Sequence, residues 1–205
     1  MGLHERAAEL YGDSELILSG DYPDTSGIEA AFNDAVKWLH DKRVFGADML
    51  REKVIDSLVK ETTAFLSKGI QQGLEESTIS DAMVDSLRES VGVFSGFKTF
   101  HEMKEAASML LDEAGNIKPF EQYYKDIQTL NDTYNKFYLK AEYDFTVSSS
   151  TMAARWEEQQ DDGDGRYLLQ YRTAGDNKVR KAHRELEGIT LPSNDPVSYT
   201  HLRAH

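Results

Sequence analysis

The chain has 205 residues, 29% of them charged and 40% hydrophobic, with a formal net charge of −13 and no cysteine. That balance belongs to a globular chain that meets water, and no stretch approaches the ~18–20 apolar residues that a bilayer-crossing helix needs. The acidic excess excludes tight, nonspecific nucleic-acid binding by the whole surface, which requires a basic footprint to displace counterions, and without cysteine no disulfide or thiolate metal site can form from these residues.

Residues 1–26 read as a lead-in. Met1-Gly-Leu-His-Glu-Arg6 opens on alternating charge rather than an apolar run, so no secretory signal is expected. Arg6 stands where a myristoylation signal needs Ser or Thr. His4 to Leu10 suits a short helix, Glu15 to Leu18 an extended segment, and Gly20 to Gly27 a turn. The spacing of Ile28, Phe32, Ala35, Val36 and Leu39 predicts a helix capped by Thr25 or Ser26 and broken at Phe45-Gly46. A second helix is predicted from about Asp48 to Gln72, with Leu50, Val54, Leu58, Thr62, Phe65 and Ile70 on its buried face. Ser80 opens a third, carrying Met83, Val84, Leu87 and Val91 and stopping at Gly92 to Gly96; Thr99 opens a fourth, carrying Met103, Ala106, Ala107 and Leu110 and closing at Gly115-Asn116.

Pro119 suits the first turn of the longest element. Phe120, Tyr124, Ile127, Leu130, Tyr134, Phe137, Ala141, Phe145, Ser148, Met152 and Trp156 follow at spacings of three or four, and no Gly or Pro interrupts Phe120 to Gln160. Unbroken, this helix would be on the order of 60 Å long. Asn131 to Thr133 and Thr146 to Thr151 are the places where side chains compete for backbone bonds and favour a break. The aromatic stripe is core patterning rather than a cofactor box. Asp161-Asp-Gly-Asp-Gly165 is an acidic turn without the ligand alternation of a calcium loop. Then come a strand at Tyr167 to Thr173, a turn at Ala174 to Asn177, a short helix at Arg180 to Glu187 ended by Gly188, and a second strand at Ile189 to Leu191. The predicted class is mainly α: a long-helix bundle over 27–160, then a partial small α+β domain over 161–196.

Within that last segment stand Gln170-Tyr171-Arg172-Thr173, Arg180-x-x-His183-x-x-Leu186-x-Gly188, Thr190-Leu191-Pro192 and Asp195-Pro196, in that order over about thirty residues. The series resembles the opening of the Mu F-like domain of tailed-phage minor head proteins, the phage head morphogenesis family. The resemblance implies a role in virion assembly, with portal and capsid or scaffold proteins as partners and packaged DNA within reach. The basic run Lys178 to Arg184 reads first as a solvent-exposed helix face, with weak contact with DNA phosphates as the alternative. It implies a place in the head interior, reached from the host bacterial cytoplasm, with no membrane and no cofactor. The pattern of the family continues with aromatics, Pro-Pro-x-Gly-Trp and Cys-x-Cys; Val197 to His205 instead resembles one reading frame of a library adaptor. The expectation is therefore a fragment cut within its C-terminal domain, with 197–205 as an artefact. Mu F-like domains also occur fused to effectors, so the alternative is a packaging or delivery module whose catalytic domain lies further on.

His183 is the residue that invites a catalytic reading, since Arg172, Asp176 and Arg180 are near in sequence. A base needs a nucleophile or substrate proton within reach and an orienting partner, and no motif supplies a nucleophile. Arg180 and His183 are therefore expected to bridge the turn and strands by hydrogen bonds, and no residue is assigned to catalysis, cofactor or metal. One metal hypothesis stays open, with His183 joining the cysteines that the family carries further along. Gln170, Tyr171, Arg172, Asp176, Arg180, His183, Leu186, Gly188, Asp195 and Pro196 are carried forward as motif residues without an assigned role.

Overall fold

The computed structural model of the chain describes residues 22–75, 77, 79–161, 168–173, 175–193 and 195–196. The lead-in helix and extended segment, most of the acidic turn, Tyr167, Ala174 and the nine residues from Val197 lie outside that set. The described chain is mainly helical, with a small two-stranded sheet near its C-terminal end. It divides into two compact units, one within Met1–Glu76 and Ser80–Ser150, the other within Ser77–Ile79 and Thr151–His205.

Helix α1 is Ser26–Lys42, and Ile28, Phe32, Ala35, Val36 and Leu39 are all buried, as their spacing predicts. Thr25 occupies the N-cap position, one of the two predicted. The Thr25 side chain makes no capping bond, while Asp24 Oδ1 accepts from the Ser26 amide at 3.0 Å. The helix ends at Arg43, whose φ of 64° lets its N–H reach the Leu39 carbonyl at 2.8 Å. This left-handed closure suits Gly better than Arg, and it stops α1 before Phe45-Gly46.

The predicted helix from Asp48 divides into a short 3-10 turn, Ala47–Arg51, and helix α2, Lys53–Leu74. Glu52 between them is extended (ψ 133°), and its carbonyl accepts from both Ile55 and Asp56. Leu58, Thr62, Phe65 and Ile70 are buried as predicted, and Ile55, Leu66 and Gly69 join them. Gly69 is required by proximity: a Cβ there would lie 3.3 Å from Thr146 Cβ and from the Tyr143 carbonyl oxygen.

The predicted third and fourth helices are one element, α3, Asp81–Ser108, begun by Ser80 Oγ accepting from the Met83 amide at 3.3 Å. Gly92 and Gly96 do not stop it. Each costs about 1 kcal/mol of helix propensity, but the flanking turns bury Val91, Ser95, Thr99, Met103 and Ala106, and packing on that scale prevails. The helix closes at Met109, ahead of the predicted Gly115. A tight loop follows, in which Asp112 Oδ1 accepts from the Ala114 and Asn116 amides (2.9 and 2.8 Å) and Leu111 bridges Ile117.

The longest predicted element is broken at the first of its two weak points. Helix α4, Phe120–Asp132, passes into a π-helical stretch, Thr133–Tyr138, and continues as α5, Leu139–Asp161. A π turn holds more residues than an α turn, so the stripe changes phase. Up to Leu130 the spacing is close to that predicted, with Ile127 and Leu130 buried; within the π stretch Thr133 and Asn135 are buried, and beyond it Leu139, Tyr143, Thr146, Ser150 and Ala154. Phe145, predicted inside, is 71% exposed. The Thr146 to Thr151 cluster stays helical, with Thr146 Oγ1 donating to the Glu142 carbonyl at 2.8 Å.

In the second unit, β1 (Leu168–Gln170) pairs antiparallel with β2 (Thr190–Pro192), with Leu168 opposite Pro192 and Gln170 opposite Thr190. Helix α6, Lys181–Glu185, lies between them in sequence, and Gly188 (φ 81°) makes the turn into β2. The first strand is shorter than the predicted Tyr167 to Thr173, and its partner edge is occupied by β2.

Around Gly92 and Gly96 a new Cβ would meet nothing within 4 Å, so Gly92→Ala and Gly96→Ala should each stabilise the fold by about 0.5–1 kcal/mol in urea melts. Gly69→Ala should do the opposite, because its new methyl presses on the backbone of α5.

Candidate functional site

The second unit brings the motif residues against one another. The Gln170 side chain donates to the Gly188 carbonyl and to Thr190 Oγ1, both at 3.1 Å. Tyr171 extends the ladder beyond β1: its amide donates to the Ile189 carbonyl at 2.8 Å, and its own carbonyl accepts from Gly188 at 2.9 Å. Its phenol lies 2.5 Å from His183 Nδ1, with the rings 6.2 Å apart, so α6 is tied to the strand through that pair. Leu186 and His183 are half-buried.

The loop preceding α6 is held differently from the expectation. Arg184, rather than the Arg180 side chain, reaches the Asp176 and Asn177 carbonyls at 3.4 and 3.2 Å. Asp176 Oδ1 accepts from the Lys178 amide at 2.9 Å, a self-contained turn. Arg180 contributes its backbone, where its carbonyl accepts from His183 and Arg184 at the start of α6. Arg172 meets Glu187 at 3.4 Å, and Glu187 also accepts from the Thr173 amide at 2.6 Å; these bonds hold its carboxyl below its ordinary range. Asp195 closes a turn through its amide on the Pro192 carbonyl at 3.0 Å, and Pro196 is exposed. Among the described residues no group of three or more His, Asp or Glu could hold a metal ion.

A second constellation, in the helical unit, went unread in the sequence. The buried face of α3 carries Ser95, Lys98, Thr99 and Glu102 among its apolar residues. Lys98 Nζ donates to the Tyr134 carbonyl at 2.5 Å and to Glu142 Oε2 at 2.6 Å. Glu102 accepts from Asn135 Nδ2 at 2.7 Å, and Asn135 also donates to Asn131 at 2.9 Å. Tyr134 OH donates to Glu105 at 3.0 Å. Asn135 Oδ1 and Thr99 Oγ1 are buried without a hydrogen-bond partner, a desolvation cost within an otherwise bonded cluster. Burial, opposed by Lys98 and Asn135, pushes the Glu102 carboxyl up to about 7, and burial likewise raises Glu142. The only sequence signal for this site was polar residues at 95, 98, 99 and 102, a spacing shared by any solvated helix face.

Beside this cluster lies a cavity of about 370 Å³ between α2, α3 and α5. Its walls are almost wholly apolar, chiefly Leu66, Ile70, Leu87, Val91, Phe94 and Phe145. Among the described residues no helix is long and apolar enough to cross a membrane. No family model, curated protein or solved structure matches the chain.

Two expectations follow. Because Glu102 holds its proton to about pH 7 when folded, against an ordinary value of 4.5, the folded chain binds a proton that the unfolded chain releases in that window. Its contribution is greatest below about pH 4.5 and is lost as pH rises through 7. Glu102→Gln, which keeps the acceptor for Asn135, should remove this slope and gain up to about 3 kcal/mol over the parent at pH 8, read from urea melts across pH. In the second unit, Tyr171→Phe should speed exchange of the Tyr171 amide by about two- to tenfold, the loss of one hydrogen bond, with the helical unit unchanged.

Proposed function

We propose that the chain is a minor head protein of a tailed phage, acting in head morphogenesis and meeting portal and capsid or scaffold proteins in the head interior. The observation that carries this reading is the ordered motif series from Gln170 to Pro196. Its internal bonding supports a structural role for the motif. Gln170, Tyr171, His183 and Gly188 bond to one another or to the intervening ribbon, and Glu187 ties Arg172 and Thr173 to the end of α6. Such a module suits a rigid piece of an assembly protein, with His183 engaged by the Tyr171 phenol.

The helical unit fits the same role. Long helices with apolar residues left at the surface, Val93, Phe94, Phe97 and Phe145 among them, offer faces on which a partner helix can lie. The exposed Lys178, Arg180 and Lys181 would add weak contact with packaged DNA, since so few charges displace few counterions.

The test is to recover the native reading frame and its neighbours, then to search purified heads of that phage for peptides of this chain by mass spectrometry. A portal gene on one side, a scaffold, protease or coat gene on the other, and the peptides in the heads are the expected result. Heads without the peptides would refute the proposal, and an effector domain encoded downstream would replace it with the delivery-module reading.

A further inference from the structure

Val93, Phe94 and Phe97 lie within one turn of one another on α3, and Val93 and Phe97 are more than half exposed. Phe94, 43% exposed, lines the cavity between α2, α3 and α5 together with Phe145, which is 71% exposed. These side chains and the cavity form one continuous apolar face. At roughly 200 Å² for a whole aromatic residue, the three phenylalanines alone leave about 350 Å² in water. One side of an interface of ordinary size contributes about 800 Å², of which roughly 55–65% is apolar. With Val93 added, this face supplies most of the apolar area that one such side needs.

The face holds both a projection and a recess. Phe97 stands out from α3 with 64% of its surface in water. The cavity, about 370 Å³, is more than twice the size of an engineered cavity of about 150 Å³ that takes a benzene ring. A small apolar molecule would fill the recess and leave Val93 and Phe97 in water. A foreign protein would need to bring both a ring for the recess and a recess for the ring. A second copy brings both, and a two-fold axis presents each to the other. We propose that two copies of this chain pair through this face, the Phe97 ring of each seated in the α2–α3–α5 cavity of the other. The net charge of −13 opposes such pairing at long range. Salt screens that repulsion, so a contact driven by apolar burial tightens as salt rises. The inference rests on this face and does not depend on a phage role.

The test follows the full chain by sedimentation equilibrium from about 1 to 100 µM, where weaker interfaces of this size dissociate and stronger ones stay closed. The chain should be dimeric, and more tightly so when salt is raised from about 0.1 M to about 0.5 M. Phe97→Ser removes the projection, and Ser90→Trp fills the recess from an exposed position in its lining. Neither replaces a buried residue, so far-UV circular dichroism and urea midpoints should stay close to those of the parent. Each variant alone should weaken pairing about tenfold or more. An equimolar mixture of the two should pair better than either alone, because one projection then meets one intact recess. A monomeric parent overturns the proposal, and if that monomer binds naphthalene, the recess belongs to a small apolar ligand instead. Dimers that survive either variant place the contact elsewhere and overturn it, as do a mixture no better than its components and assemblies that grow beyond two chains.

Discussion

One ammonium group decides how the longest helical run of this protein lies on its neighbours. The π stretch Thr133–Tyr138 disturbs the regular ladder, and Lys98 Nζ, from α3, donates to the Tyr134 carbonyl within it while also meeting Glu142 one turn beyond. A buried ion pair of this kind adds little net stability over a hydrophobic replacement, but losing one partner leaves the other stranded, at a cost of about 3–5 kcal/mol. Its value lies in register. Glu102 reaching Asn135 and Lys98 reaching both Tyr134 and Glu142 can be satisfied together in one alignment of α3 against the π stretch.

Everything downstream on α5 inherits that alignment. The extra residue of the π turn rotates Leu139, Tyr143 and Thr146 inward and Phe145 outward. Thr146 and the Tyr143 carbonyl then press on α2 where only Gly69 leaves room. The same rotation opens the cavity beside Phe94 and presents Tyr143 and Asp144 to Tyr22. A polar cluster unrelated in sequence to the apolar stripe thus sets which apolar residues count as core.

How much of this was readable follows from which interactions are local. The buried face of α1 and most of that of α2 came directly from spacing, since each helix has one apolar stripe and no internal irregularity. The two glycines of α3 misled because propensity is a local quantity and burial is not. The π stretch was foreshadowed by Asn131 to Thr133, yet its effect on phase could not be, because the Lys98 that supports it is 36 residues away. In the second unit the order strand, turn, short helix, strand was legible from turn chemistry. That Arg184 and Glu187 would hold the loop, with Arg180 serving through its backbone, depends on how the loop folds back.

The ribbon of the second unit also has a direction of growth. Tyr171 donates to Ile189, so by the alternation of an antiparallel ladder the residues at 168 and 170, and opposite them 190 and 192, turn their peptide groups outward. On the β2 side one of those outward positions is Pro192, which has no N–H to give. A strand arriving beside β2 would therefore meet a missing rung, while one arriving beside β1 would find the outward donors of Leu168 and Gln170 in place. A larger sheet would favour one sense of growth, with β2 as its margin and β1 as its interior.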